Sequence, residues 1–295
     1  MKSGFVSLIG RPNVGKSTLL NSIMKQKIAI TSSKPQTTRN IIRGIYNEED
    51  TQIVFVDTPG IHKPIHKLGK VLNKQAYYTI DDVDIILFLV DASTKLGKGD
   101  KYVLEKLKDI NKPVILVLNK IDNITKDEIL IKIEEYKDLY DFSEIVPVSA
   151  VKKNNIDTLI KVIKKYLKDE IMYYGKEEVT NRKIDFLIAE IIREKVFEVT
   201  SEEVPHSTTC IVDSIEFGKN SNTINASIIV DRDSLKKIII GSKGSKIKEI
   251  GSLARVEIEA LMGKKIYLSL FVKTIKKWRD SDKYLQEFGY NDFEE

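Results

Sequence analysis

Little in this sequence can be cross-linked, threaded through a bilayer or repeated. A single cysteine, Cys210, stands among 295 residues, so an internal disulfide is excluded. It lies in the alternating run TTCIVDS, where a buried structural thiol is expected rather than a nucleophile. No apolar run approaches the roughly 20 residues that span a bilayer. Met1–Ile9 runs straight into a motif rather than forming a signal peptide, and a cytoplasmic protein is expected. Internal repeats and long low-complexity segments are missing, which argues against solenoids and disordered tails. The net charge of +5 is too small to make the whole chain a polycation. What is present is ordinary for a globular chain, 42% hydrophobic and 31% charged residues, with length enough for about two domains.

The first part alternates strand-like and helix-like segments. Strands are expected at Phe5–Ile9, Gln52–Asp57, Asp84–Val90, Pro113–Asn119 and Glu144–Val148. Helices are expected at Lys16–Met24, Lys67–Tyr78, Lys101–Ile110, Lys126–Tyr140 and Ile156–Lys168. Continuous apolar runs of strand length suit a parallel sheet buried on both faces, so residues 1–172 are read as a doubly wound α/β domain. The polar stretch 173–180 reads as a linker. Residues 181–295 then follow the order α-β-β-α-α-β, a smaller α+β domain. Asn181 is placed to cap a helix at Ile184–Val199. Strands are expected at Thr208–Phe217, Thr223–Val230 and Lys265–Val272. The turn signal GKNSN separates the first two. A short helix from Ser234 and a longer one to about Met262 flank the loop GSKG.

Gly10–Ser17 reads GRPNVGKS, the G-x-x-x-x-G-K-[ST] pattern, between an expected strand and an expected helix. The spacing puts Gly10, Arg11, Pro12, Asn13, Val14, Gly15, Lys16, Ser17 and Thr18 around a phosphate group, with backbone N–H groups and a helix N-terminus supplying positive potential. Lys16 would reach the β- and γ-phosphates, and Ser17 would give its hydroxyl to Mg²⁺. Asp57 ends the run IVFVD and opens DTPG (Asp57, Thr58, Pro59, Gly60), where a strand-end carboxylate can hold that Mg²⁺ through water. Gly60 would give its amide to the γ-phosphate, so loss of that phosphate would release the following segment. The polar segment Thr31–Asn40, TSSKPQTTRN, supplies a second hydroxyl from Thr37 or Thr38, with Thr38 preferred. Lys16, Thr38 and Gly60 are thus the candidate catalytic residues, and Ser17, Thr38 and Asp57 the candidate metal ligands.

Asn119-Lys120-Ile121-Asp122 follows the strand PVILVL. Asp122 can accept from guanine N1–H and the 2-amino group, Asn119 can meet the O6/N7 edge, and the Lys120 stem can cover the ring. Adenine lacks both donors, and such sites reject the wrong partner by about 10⁴ or more. Ser149 and Ala150 are placed to offer a backbone N–H to O6. The position after Gly60 is Ile61, which cannot orient a water as glutamine does in many small GTPases. Hydrolysis would then be slow, use backbone-held water, or borrow a group. Asn13 is a candidate to help hold K⁺ beside the phosphates, and equal turnover in potassium and sodium buffers would remove that idea. Arg11 and Arg39 are rivals for the charge-stabilising role.

Residues 235–279 carry twelve Lys/Arg against three acids, an excess larger than the net charge of the whole chain. That is a footprint for a phosphate backbone. In its middle, Ile238, Ile239 and Ile240 precede Gly241, Ser242, Lys243 and Gly244, a GxxG loop that lets a nucleic-acid backbone approach while an apolar groove takes unstacked bases. Lys246 follows. The tail adds Lys276, Lys277, Trp278 and Arg279, where Trp278 either stacks on a base or packs on the sheet.

GRPNVGKS, PQTTR, DTPG, NKID and SA, followed by one GxxG domain and a KKWRD tail, resemble the Era family of bacterial GTPases over essentially the whole chain. The hydrophobic residue after DTPG fits that wider group. The resemblance implies a GTPase domain with a C-terminal type II KH domain and Mg²⁺ as cofactor. It also implies binding of small-subunit ribosomal RNA near its 3′ end and a role in 30S maturation. Peripheral contact with the inner face of the cell membrane is also implied, and a monomer is expected. Two rival readings stay open: an RNA chaperone that uses GTP only as a conformational ligand, and a GTPase acting at membranes.

Overall fold

The computed structural model describes residues 1–32, 34, 37–61 and 64–290. Ser33, Pro35 and Gln36 of the polar segment Thr31–Asn40, His62 and Lys63 of the segment after Gly60, and the last five residues of the expected second domain lie outside them. The described chain separates into two units.

The first unit is built on a six-stranded sheet. In chain order it carries β1 (Lys2–Ile9), α1 (Lys16–Met24), β2 (Ile42–Glu48), β3 (Thr51–Asp57), α2 (Lys67–Asp81), β4 (Ile85–Asp91), α3 (Lys98–Leu107), β5 (Val114–Asn119), α4 (Lys126–Lys137), β6 (Glu144–Pro147) and α5 (Ile156–Tyr166). The sheet order is β2-β3-β1-β4-β5-β6, with β2 antiparallel to β3 and the other pairings parallel. Strands β3, β4 and β5 are buried along their whole length, as their unbroken apolar runs require when helices cover both faces. All the parallel strands point the same way, so Asp57, Asp91 and Asn119 come out at one edge beside the turn after Ile9. In an open α/β sheet that edge is where ligands sit.

Two features differ from the sequence reading. β2 was not expected, because its Ile42-x-x-Ile45 pattern is short and interrupted by Gly44; it is an edge strand held in register by its neighbour β3. The stretch read as a linker is instead tied to the first unit. The Tyr173 and Tyr174 amides donate to Gln52 Oε1 at 2.8 and 3.0 Å, Gln52 Nε2 donates to Tyr174 O at 2.9 Å, and Ile45 N donates to Val179 O at 2.9 Å. Gln52 is 1% exposed, so its amide needs these partners. The boundary falls after Asn181. Ile30–Thr37 and Ile65–Leu68 group with the second unit rather than the first, so a single cut in the sequence does not describe the division.

The second unit carries α6 (Ile184–Val199), β7 (Thr208–Phe217), β8 (Asn222–Val230), α7 (Asp233–Ile240), α8 (Ser245–Met262), β9 (Ile266–Thr274) and a short α9 (Asp282–Glu287). Its sheet runs β7-β8-β9, antiparallel then parallel, with a bulge between Val212 and Ser214. Alternate residues of β8 (Ile224, Ala226, Ile228, Val230) face a core shared with Ile188, Ile192, Val196, Ile239, Ile250, Ala254 and Ile258 of the helices. Cys210 is a buried thiol in that core, as expected. Asn181 does not cap α6. Lys183 holds the N-cap position, and Asn181 Oδ1 accepts from Arg43 N at 3.3 Å.

Candidate nucleotide and nucleic-acid sites

The turn after β1 wraps back on itself before α1. Gly10 and Gly15 have positive φ, and Asn13, with φ +66°, takes the left-handed conformation that asparagine tolerates better than most residues. At Gly15 two demands coincide: φ is +98°, and a Cβ there would lie 2.3 Å from Asn119 Nδ2. Only glycine satisfies both. α1 starts with no side-chain cap and no acid in its first turn, leaving its N-terminal amides and positive dipole end aimed out of the loop. Lys16 is 6% exposed and its Nζ donates to Gly10 O at 3.1 Å and Arg11 O at 3.3 Å. Burial pulls this ammonium down to about 8, opposed by the charge of Asp57.

The three expected metal ligands meet. Ser17 Oγ donates to Asp57 Oδ2 at 2.6 Å, Ser17 Oγ and Thr38 Oγ1 lie 2.8 Å apart, and Thr38 Oγ1 is 3.4 Å from Asp57 Oδ2. Asp57 is fully buried, and burial raises its pKa against the pull of Lys16 and the two hydroxyls. Its second oxygen, Oδ1, is buried with no hydrogen-bond partner among the described residues. A buried carboxylate oxygen without a donor, beside two hydroxyls, is an all-oxygen donor set that fits Mg²⁺. Gly60 abuts the phosphate loop, since a Cβ on it would come within 2.9 Å of Pro12 N. Thr58 and Pro59 are buried, and Thr58 Oγ1 donates to Leu8 O at 2.9 Å, so the Thr58 side chain pins strand ends rather than facing a ligand. Ile61 is 2% exposed and sits in the core with Ile9, Val56, Ala76 and Ile80. The residue at the glutamine position thus faces the protein interior.

Neither rival arginine is a solvated side chain awaiting a phosphate. Arg11 Nε lies 3.1 Å from Asp100 Oδ1, and its Nη2 donates to Thr94 Oγ1. Arg39 is 1% exposed.

The base-recognition residues are tied to one another and to the phosphate loop. Asn119 is 1% exposed; its Nδ2 donates to Val14 O at 2.9 Å and its Oδ1 accepts from Ala150 N at 3.1 Å. It is a strap joining the phosphate loop to the Ser149–Ala150 loop, and its NH₂ group carries a second hydrogen with which to meet N7. The Ala150 amide, expected to meet O6, is engaged by that strap, and the Ser149 amide donates to Asn154 O at 3.1 Å. A buried strand-end amide must satisfy its polar groups inside the protein before any ligand is considered. Asp122 is exposed, with Ser149 Oγ donating to its Oδ1 at 2.5 Å, and so presents a carboxylate at the rim. Lys120 has φ +65°, and its Nζ donates to Asn13 O at 2.8 Å and Asp91 Oδ2 at 2.7 Å. Thr18 is half-buried in the first turn of α1.

Sequence reasoning missed Asp91, Thr94 and Asp100. The signal was present, because Asp91 ends a buried strand just as Asp57 and Asn119 do.

In the second unit, Gly241 (φ +73°), Lys243 (φ +50°) and Gly244 (φ +78°) form a left-handed turn between α7 and α8 that leaves Ser242 and Lys243 exposed. Next to it, α8 and β9 enclose an open groove of about 330 Å³, lined by Ile247, Gly251, Ser252, Leu268 and Leu270 with Lys248 and Arg255 on its walls. The groove residues were also missed; the small pair Gly251-Ser252 on α8 was their signal. Of the expected RNA contacts, Ile238 is 41% exposed, but Ile239 is fully buried core and Ile240 half-buried. Three consecutive isoleucines on a helix cannot all face one groove at 100° per residue. Lys246 is half-buried, while Lys276 and Lys277 are exposed. Trp278 is 0% exposed, its Nε1 donates to Ser207 O at 3.1 Å, and its ring packs against Phe288 and Tyr290 at centroid distances of 5.7 and 6.0 Å. It is a packing residue, not a base-stacking one. Arg279 pairs with Asp231 Oδ2 at 2.5 Å.

Comparison with known proteins matches residues 5–120 to the family described as 50S ribosome-binding GTPase, and residues 191–279 to the KH domain family. Among solved structures, an Aquifex aeolicus Era variant bound to GDP and AlF₄⁻ is 41% identical, with a TM-score of 0.95 over 98% of this chain and 99% of that one. Era in complex with MgGDPNP and nucleotides 1506–1542 of 16S ribosomal RNA is also 41% identical, with a TM-score of 0.96 over the same shares. Likeness of that extent, spanning a phosphate loop, its metal ligands and a GxxG groove in one chain, makes this protein a member of the Era family of GTPases.

Proposed function

We propose that this chain binds and hydrolyses GTP with Mg²⁺ and binds small-subunit ribosomal RNA near its 3′ end in support of 30S assembly. The observation that carries the reading is the meeting of Ser17, Thr38 and Asp57 beside Lys16, in a chain 41% identical over 98% of its length to an Era solved with MgGDPNP and 16S RNA. Ser17, Thr38 and Asp57 would hold the metal. When bound, Mg²⁺ neutralises charge on the β- and γ-phosphates. Lys16 and the α1 N-terminus bind and orient the phosphates, and Asp122 selects guanine. Thr38 is both a metal ligand and a member of the polar segment Thr31–Asn40, so contact with a nucleotide-bound metal would couple that segment to the nucleotide. Ile61 supplies no hydrogen bond to a water, which supports slow intrinsic turnover and leaves charge stabilisation to a cation such as K⁺ near Asn13.

The α8–β9 groove and the exposed Lys243 support binding of single-stranded RNA, with unstacked bases against Leu268 and Leu270 and a phosphate near the GxxG turn. Titration of the intact protein with a 3′-terminal 16S oligonucleotide at several salt concentrations tests this. Lys243→Ala is expected to lower the slope of log affinity against log salt by about one, with little change in base preference. An unchanged slope removes Lys243 from the interface. Liposome pull-downs at matched salt separate the membrane-directed reading, and single-turnover hydrolysis separates the chaperone reading. Cytoplasmic location, a monomeric state and peripheral membrane contact belong to the same proposal and rest on family resemblance and surface charge.

A further inference from the structure

The β4–α3 connection makes two separate attachments to the phosphate loop, and one of them runs through the base-recognition lysine. We infer that Asp91 is a positioning residue for guanine-nucleotide binding: its carboxylate fixes the Lys120 side chain between the base site and the phosphate loop. This deepens the GTP-binding reading and rests on it.

Three observations carry the inference. First, Asp91 is delivered by the last residue of a fully buried strand, in register with Asn119 of β5, with Ala92 N donating to Asn119 O at 2.9 Å. Its carboxylate is therefore held as rigidly as the sheet itself. Second, the two carboxylate oxygens divide their work. Oδ1 accepts from Ser93 N at 3.0 Å and Ser93 Oγ at 2.6 Å, while Oδ2 accepts from Lys120 Nζ at 2.7 Å. A turn-capping aspartate accounts for the first oxygen only; the second is committed to the lysine. Third, Lys120 stands at φ +65°, a left-handed position uncommon for a residue with a Cβ. From there its ammonium bridges Asp91 Oδ2 and Asn13 O at 2.8 Å. A lysine stem otherwise samples many rotamers, and that freedom is lost when it is ordered. Anchored at its tip, it offers an ordered apolar wall for a purine ring, so less ordering remains to be done on binding.

The remaining polar groups of the connection serve the same loop. Thr94 Oγ1 donates to Asp91 O at 3.0 Å and accepts from Arg11, whose Nε is 3.1 Å from the buried Asp100. Arg11 and Asn13 are thus both held from the β4–α3 side. The contacts of Asp91 run to the base-recognition lysine and to the phosphate loop, which serve both nucleotides, so loss of Asp91 should affect GDP and GTP alike.

The chemistry calls for a carboxylate. Donors face both oxygens, so asparagine would turn its NH₂ group toward either Ser93 N–H or the Lys120 ammonium. Asp91→Ala and Asp91→Asn are both expected to release fluorescent GDP and GTP about tenfold faster than the unaltered full-length protein. In a double-mutant cycle, Asp91→Ala combined with Lys120→Ala should release nucleotide no faster than Lys120→Ala alone, because Asp91 acts through that lysine. Thermal unfolding without nucleotide reports the fold of each variant, and the asparagine variant carries the test if the alanine one is destabilised. Release rates that multiply in the double variant, or an Asp91→Asn protein that holds GDP as the unaltered protein does, overturn the inference. An unaltered protein with no affinity for guanine nucleotides would remove the functional reading itself, a result distinguishable from either.

Discussion

Lys16→Ala is expected to weaken GTP and GDP binding by about 10²–10³-fold, on the order of 3–4 kcal/mol, and to abolish turnover. The lysine is nearly buried, and its ammonium is clasped by the Gly10 and Arg11 carbonyls at 3.1 and 3.3 Å. Those two acceptors hold it inside the loop, at the position where the β- and γ-phosphates must arrive. Burial lowers its pKa to about 8, so the charged form is already disfavoured and gains most from a phosphate beside it. Removing the side chain takes away that charge-assisted contact and the donor that the Gly10 and Arg11 carbonyls share. It also takes away stabilisation of charge that develops on the transferred phosphoryl group, which is why hydrolysis should fail even at saturating GTP. Equilibrium binding of fluorescent GDP together with single-turnover hydrolysis measures both. An alanine variant within threefold of the unaltered affinity would contradict the assignment of Lys16 to the phosphates.

Asp122→Asn is expected to change which base is bound. Guanine offers two donors, N1–H and the 2-amino group, and a carboxylate meets both with acceptors. Asparagine presents one acceptor and one NH₂, so a donor meets a donor, and GDP affinity should fall by about 10²–10³-fold. Xanthine keeps N1–H and carries a carbonyl in place of the amino group, which matches the asparagine pattern. Competition of GDP, XDP and ADP against a fluorescent guanine nucleotide should therefore invert the order of GDP and XDP, with ADP weak in both proteins. Asp122 is exposed, and surface substitutions usually change stability by less than about 0.5 kcal/mol, so the fold should be kept. Retained GDP preference in the variant would show that selectivity lies elsewhere in the loop.

These two residues were legible because their roles are local. GRPNVGKS codes for its own backbone path, and NKID follows a strand whose apolar run announces where the turn must come. The same holds for most elements: α1, β7 and α6 lie on their expected residues, and the order α-β-β-α-α-β of the second unit is observed. Legibility stopped where a side chain's role depended on what lay across the fold. Asn119 reads as a base contact, and its further part as a strap is invisible in the sequence because Val14 and Ala150 come to it from distant segments. Trp278, ambiguous in a basic tail, is enclosed by Tyr290 and Phe288. Asn181 had a good helix cap to its C-terminal side, but β2 claimed its oxygen.

Taken alone, the amino-acid order determined where the phosphate loop, the guanine loop and the GxxG turn would form, since glycine placement and hydrophobic period act within a few residues. Tertiary structure alone decided which polar groups remain for ligands. Among the described residues Asp57 Oδ1 stays without a donor while Asn119 is engaged at both ends, and Asp91 is drawn to Lys120, only because separate strands end at the same edge of one sheet. The physical reason is that hydrogen-bond satisfaction in a buried setting is a property of three-dimensional neighbours, and those neighbours are set by strand order, which no short window of sequence contains.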